Sequence, residues 1–305
     1  MPGQPILEIQ NLKKTYGSVV AVEDLSLEVY PGEIFGVVGP NGAGKTTMIE
    51  CAVGLREPNG GQVRVLGLDP RREGVALRAR IGVQLQQAAL PADIKVWEAL
   101  DLYASFYSHP ADWQNLLKTW GLDDKKNASF RSLSGGQKQR LFIALALVND
   151  PQMVFLDELT TGLDPQARRN TWDLIAQLRE SGKTVVLVTH FMEEAQRLCD
   201  RLAIIDRGRI VAQGTPTELI KSLGADKRVR FTTLNGHDYT WLQRLEGVRT
   251  VDRVGHDVMV QGTGNLLVEV AAALGEMGLQ AEDLRVEQPS LEDVFLNLTG
   301  RAYRD

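Results

Sequence analysis

The sequence predicts an α/β fold built on buried parallel strands, with half-buried antiparallel strands ahead of it and a smaller α+β domain behind. Three near-continuous apolar runs carry this expectation: Ile34–Val38, Met153–Leu156 and Thr184–Val188. Each is strand-length and reads as a strand buried on both faces. A helical stretch at about 166–180, closed by Ser181-Gly182, lies between the last two. Strand, helix, strand at that spacing argues a parallel sheet.

Residues 6–29 alternate apolar and polar, as at Leu25, Leu27 and Val29, which predicts antiparallel strands with one wet face. A Gly-rich turn follows the Ile34–Val38 run, and a helix is expected from Lys45 to Leu55. Residues 94–148 read mostly as helix, for example 96–100 and 139–148, so a helical insertion is expected at about 88–150. Ala203–Ile205 and Arg209–Ala212 flank Asp206-Arg207-Gly208, a hairpin signal. Gly224-Ala225-Asp226 reads as a linker, which divides the chain into 1–223 and 226–305. The second part is expected as strand 228–233, helix 239–246, strands 248–253 and 256–261, helix 264–277, strand 279–286 and helix 290–299. Its first six elements follow the βαββαβ, ferredoxin-like pattern.

Composition narrows the class. The chain has 305 residues, ordinary apolar content and a formal net charge of -5, so it lacks the basic footprint of a nucleic-acid binder. Cys51 and Cys199 are too few and too far apart for a disulfide framework or a zinc cluster. The N-terminus has no basic stretch followed by an apolar one, and the most apolar segment, Leu141–Val148, falls well short of the roughly 20 residues that span a bilayer. A soluble chain is expected, reaching any membrane process through a partner.

Gly39-Pro40-Asn41-Gly42-Ala43-Gly44-Lys45-Thr46 fits G-x-x-x-x-G-K-[ST], with Thr47 completing the candidate phosphate site. Glycines let backbone N–H groups curl round phosphate oxygens, and the helix opening at Lys45 points its positive end at the same anion. Lys45 can place its charge on the β- and γ-phosphates, and the Thr46 hydroxyl can ligate Mg²⁺. The bare pattern turns up by chance in roughly one chain in a hundred of this length, but here it also joins a buried strand to a helix. Downstream, the Met153–Leu156 run ends in Asp157-Glu158, two carboxylates at a strand's carboxyl end, where ligands of open α/β sheets sit. Asp157 is the candidate Mg²⁺ ligand, and Glu158 the candidate group that polarises the attacking water.

Leu133-Ser134-Gly135-Gly136-Gln137, followed by Lys138-Gln139-Arg140, resembles the signature segment of the ATP-binding-cassette (ABC) ATPases. Ser134 can cap the helix that follows, and the glycines leave its first N–H groups exposed as a second anion site. The resemblance covers about residues 6–222. It implies a P-loop NTPase fold of the ABC cassette type: a mixed sheet, N-terminal antiparallel strands and a helical subdomain. It implies that Ser134–Gln137 meet ATP held by a second copy, in a head-to-tail homodimer. By the same resemblance, Tyr16 looks like the aromatic that stacks on adenine, with an ordinary strand tyrosine as the competing reading. Gln86 looks like the glutamine that touches Mg²⁺ or the lytic water, with Gln84 and Gln87 as rivals. Thr161-Gly162-Leu163-Asp164 resembles the loop through which two subunits communicate, and His190 the histidine that contacts the γ-phosphate. Leu159 departs from the proline usual after the glutamate, where a proline would stiffen the turn.

The tail, Gln288-Pro289 through Thr299-Gly300, resembles the end of bacterial drug-exporter ABC subunits, which carry an accessory domain after the cassette. Ser290 can cap a helix with Leu291, Val294, Phe295 and Leu298 on one stripe, docked on its own domain or on a second copy. The function implied is an ATPase subunit using MgATP, peripheral on the cytoplasmic membrane face. It would drive a separate ABC permease that exports a drug-like or lipophilic compound. The alternative is a soluble ABC ATPase of the translation or DNA-repair type, but those usually carry two cassettes, or coiled-coil or zinc insertions, and none is visible. A GTPase lacks support because no Asn-Lys-x-Asp motif follows, and binding without turnover is weakened by Glu158 and the full signature.

Overall fold

The computed structural model describes residues 3–86, 88–223, 227–233, 237–279, 281–287 and 289–300. The chain forms two compact units, one running to Pro216 and the next beginning at Thr217. The expected linker at 224–226 lies outside the described residues.

The described strands of the first unit are β1 (Leu7–Tyr16), β2 (Val19–Val29), β3 (Ile34–Val38), β4 (Gly60–Val65), β5 (Ile81–Gln84), β6 (Met153–Asp157), β7 (Thr184–Thr189), β8 (Arg201–Asp206) and β9 (Arg209–Gly214). Its helices are α1 (Lys45–Ala52), α2 (Gly74–Arg78), α3 (Val96–Ala104), α4 (Trp113–Thr119), α5 (Gly135–Ala146), α6 (Pro165–Glu180) and α7 (Met192–Leu198). The strands form one sheet in the order β4-β1-β2-β9-β8-β3-β7-β6-β5. From β8 to β5 the strands are parallel, and β3, β6 and β7 are buried along their whole length, as their apolar runs require. β1 pairs antiparallel with β2 and β4, with alternating burial along both β1 and β2. β8 and β9 form the expected antiparallel hairpin, turning at Arg207 and Gly208, both at positive φ.

Two helix expectations change. α1 stops at Ala52, not Leu55, because Gly54 turns the chain at φ 77° against the Pro70 carbonyl. The last helix of the insertion begins at Gly135, where Ser134 caps it, and ends at Ala146.

After α8 (Pro216–Lys221), whose first residue closes the first unit, come β10 (Lys227–Thr232), β11 (Val248–Val254), β12 (Asp257–Gly262), α9 (Leu266–Glu276), β13 (Glu282–Glu287) and α10 (Leu291–Thr299). The sheet of this unit has the order β11-β12-β10-β13, with neighbours antiparallel. The helix expected at 239–246 is instead a single 3₁₀ turn, Thr240–Arg244. The side chains that seat this segment deepest, Tyr239 and Leu242, are three residues apart, the period of that tighter turn. They join Val229, Phe231, Val258, Val260 and Val270 in a separate core.

Candidate functional site

The parallel register sets the site. Val38 lies beside Thr189, Asp157 beside Val188 and Gln84 beside Leu156, so the chain leaves β3, β5, β6 and β7 at one sheet edge. That edge carries the Gly39–Thr46 loop, Gln86, Glu158 and His190.

Two of the loop's glycines, Gly39 and Gly44, are dictated by close approach. A Cβ at Gly39 would stand 2.1 Å from the Ile205 carbonyl oxygen. Gly44 sits at φ 104°, where a Cβ would meet the Ala21 oxygen at 2.4 Å. Lys45 opens α1 and is nearly fully buried. Its Nζ donates to the carbonyls of Gly39 at 2.8 Å and Pro40 at 3.1 Å, and lies 3.5 Å from Glu158 Oε1. Burial pushes the ammonium pKa down, and the Glu158 charge opposes that shift. Asn41, Gly42 and Ala43 lie in the loop, and Thr47 lies in the first turn of α1.

Glu158 is the hub. It sits at φ 51°, a left-handed conformation that a non-glycine residue holds only under constraint. Its N–H is bonded to the Val188 carbonyl at 2.9 Å, and the fully buried Leu159 follows it. Leu159 therefore anchors this turn by packing where the family pattern has a proline. Gln86 Nε2 donates to Glu158 Oε2 at 2.8 Å, and His190 Nδ1 lies 3.3 Å from Oε1. Of the glutamines considered, Gln86 reaches Glu158, whereas the Gln84 amide donates to the Leu85 carbonyl. Gln87 lies outside the described residues.

Thr46 Oγ1 donates to Asp157 Oδ2 at 3.1 Å, while Asp157 Oδ1 is buried with no hydrogen-bond partner. Burial pushes the Asp157 carboxyl up to about 6, against the Thr46 bond that lowers it. A hydroxyl and an orphaned carboxylate oxygen are hard oxygen donors that suit Mg²⁺, and the Gln86 amide, bonded to Glu158, carries a further oxygen.

Tyr16 ends β1 and is 39% exposed, with Lys14 Nζ 5.2 Å and the Arg56 guanidinium 5.7 Å from its ring centre. Val19 and Val20, paired with Tyr16 and Thr15, are exposed apolar neighbours that the motifs do not single out. Their signal in the sequence is alternation broken by two adjacent valines at a strand start.

The signature residues form a second cluster. Gln137 N–H donates to Ser134 Oγ at 3.3 Å, and Ser134 N–H donates to Gln137 Oε1 at 2.9 Å, a closed capping box on α5. Asp164 caps α6, accepting from the N–H groups of Gln166 and Ala167. Ser134, Gly135, Gly136, Gly162, Leu163 and Asp164 line a shared cleft of about 190 Å³.

Comparison with known proteins decides the family. The ABC transporter family profile matches residues 22–161. The chain is 40% identical to the Nod factor export ATP-binding protein I of Cupriavidus pinatubonensis, over 98% of this chain and 92% of that protein. The chain belongs to the ABC transporter ATPases. It is 36% identical to a daunorubicin resistance ATP-binding protein of Streptomyces coeruleorubidus, over 96% of both. The cassette superposes on an ATP-binding subunit of an ABC transporter with TM-score 0.65 at 28% identity, over 72% of this chain and 93% of that one. A dimeric bacterial ABC transporter cassette matches with TM-score 0.62 at 29% identity, over 68% and 98%. As an ABC transporter ATPase, the chain binds and hydrolyses ATP with Mg²⁺ as the partner ion.

Proposed function

We propose that this subunit powers export of a drug-like or lipophilic compound, acting as a homodimer on a separately encoded ABC permease. The observation that carries the chemistry is the Glu158 carboxylate, held among Lys45, Gln86 and His190 at the phosphate loop. In this reading the backbone of Gly39–Thr47 and the Lys45 charge hold the ATP phosphates, and Tyr16 stacks on adenine. Thr46, Asp157 and Gln86 would hold Mg²⁺, which would supply positive charge at the phosphate oxygens. Glu158 takes the proton of the attacking water, and His190 orients that carboxylate and contacts the γ-phosphate. Ser134, Gly135, Gly136 and Gln137 of each copy complete the other copy's site, with Asp164 at the contact between them.

The full-length relatives named for export support the transport role, and a dimeric cassette of the same fold supports the pair. A translation or repair clamp is not favoured. A groove of about 420 Å³ between β5 and the helical insertion, lined by Val83, Leu85, Tyr103, Tyr107 and Phe142, suits an apolar permease segment beside Gln86. No described helix is long and apolar enough to cross a membrane; in this reading the chain reaches the cytoplasmic membrane face through the permease. The net charge of -5 fits the absence of a nucleic-acid partner. The cassette is assigned to 1–223 with its helical subdomain at about 88–150. The β11-β12-β10-β13 order supports a ferredoxin-like accessory domain at 226–305.

Glu158→Gln tests the chemistry. It is expected to bind ATP while losing roughly 10²–10⁴-fold in turnover. Near wild-type turnover would remove Glu158 from its role.

A further inference from the structure

Glu194 on α7 is fully buried and accepts a 2.7 Å hydrogen bond from Trp172 Nε1 on α6. A carboxylate in that position is costly, and an apolar side chain of its size would pack more cheaply. Its surroundings show what it joins. The Thr189 hydroxyl acts on the carboxylate and also accepts from the Phe191 N–H at 2.9 Å, which shapes the turn that carries His190. The Thr160 hydroxyl, two residues past Glu158, acts on it too, lowering the pKa that burial raises. That contact is loose: Thr160 Oγ1 and Glu194 Oε2 are both buried, and neither closes a hydrogen bond of ordinary geometry. Arg168 of α6 lies 4.1 Å from the Phe191 ring centre, and that ring lies tilted against His190 with centres 4.1 Å apart. α6 itself starts from the Asp164 cap.

We propose that Glu194 is a positioning residue that couples the Thr160–Asp164 loop to the His190 turn. A shift of that loop moves Thr160 directly and α6 through its cap. Both converge on the Glu194 carboxylate, which holds Thr189 one residue before His190. The loose Thr160 contact is the part free to tighten when the loop is pressed by a second copy. This ties the position of the His190 turn in each site to the other copy's engagement. The inference rests on the reading that Thr161–Asp164 is a dimer contact and His190 serves hydrolysis.

The test is ATP turnover against ATP concentration for the full chain carrying Thr160→Val, Glu194→Gln, or both. Thr160→Val keeps shape and removes the hydroxyl, while Glu194→Gln keeps an oxygen for Trp172. Each is expected to lower kcat about 10-fold and the Hill coefficient toward 1, with the ATP KM within about 2-fold and Tm near wild type. The double variant is expected to match the more affected single variant, since both cut one connection. Removing the Glu194 oxygens would leave the Trp172 N–H buried without an acceptor, so Thr160→Val decides the test if Glu194 variants fold poorly. Inactive His190→Ala beside normal turnover in Thr160→Val and Glu194→Gln, or losses that track Tm alone, would overturn the coupling. Full activity of His190→Ala would instead overturn the reading beneath it.

Discussion

At the residue scale, the site concentrates unfavourable groups and offsets them with one another. Asp157 shows the cost most directly. Its folded pKa of about 6 lies above the ordinary 3.8 because burial disfavours the charge. The penalty is therefore fully present above about pH 6, fades as pH falls through the interval down to 4, and is absent below it. Asp157→Asn is predicted to raise the thermal stability of the metal-free protein at pH 8 by about 1–3 kcal/mol and to have little effect at pH 4. Thermal unfolding in chelator at both pH values checks this, and Mg²⁺-dependent turnover of the same variant is expected to fall to background. Most site residues are legible in the sequence at this scale because each sits in a short pattern tied to one chemistry. Gln86 is not separable from Gln84 by pattern. What separates them is three-dimensional: the Gln84 amide is spent on the Leu85 carbonyl, while the Gln86 amide reaches Glu158 across 72 residues of chain.

At the element scale, buried parallel strands act as guides that deliver loops to one edge. The apolar runs of β3, β6 and β7 announce these strands, but their register, with Asp157 beside Val188, is set by packing between distant segments. The loop between β3 and α1 has little room. Gly44→Ala is predicted to weaken ATP binding at least about 10-fold and to lower Tm, because the added Cβ meets a backbone oxygen at 2.4 Å and φ 104° is strained for alanine. Equilibrium titration with a fluorescent ATP analogue checks it; unchanged affinity would show that the loop yields. The 239–246 segment reads as a helix in the sequence because its apolar residues fit either period. Burial of Tyr239 and Leu242, which only the packed core shows, selects the single 3₁₀ turn.

At the scale of the whole molecule, one chain carries two candidate clusters that do not share a cleft. The Lys45–Glu158–His190 cluster opens at the sheet edge, and the Ser134–Asp164 cleft is assembled by the caps of α5 and α6. The signature motif tells what the second cluster resembles, but its separation from the first becomes visible only when both are placed. In the proposed head-to-tail pair, each cluster would meet the other copy's complement. That composite site is the central claim, and nucleotide-dependent assembly tests it most directly. The full-length Glu158→Gln chain, sized by light scattering after chromatography in MgATP, is predicted to run as a dimer with ATP and as a monomer with ADP. Adding Ser134→Arg is predicted to abolish the dimer while ATP still binds. A Glu158→Gln chain that stays monomeric with saturating MgATP, or a dimer indifferent to Ser134→Arg, would contradict it.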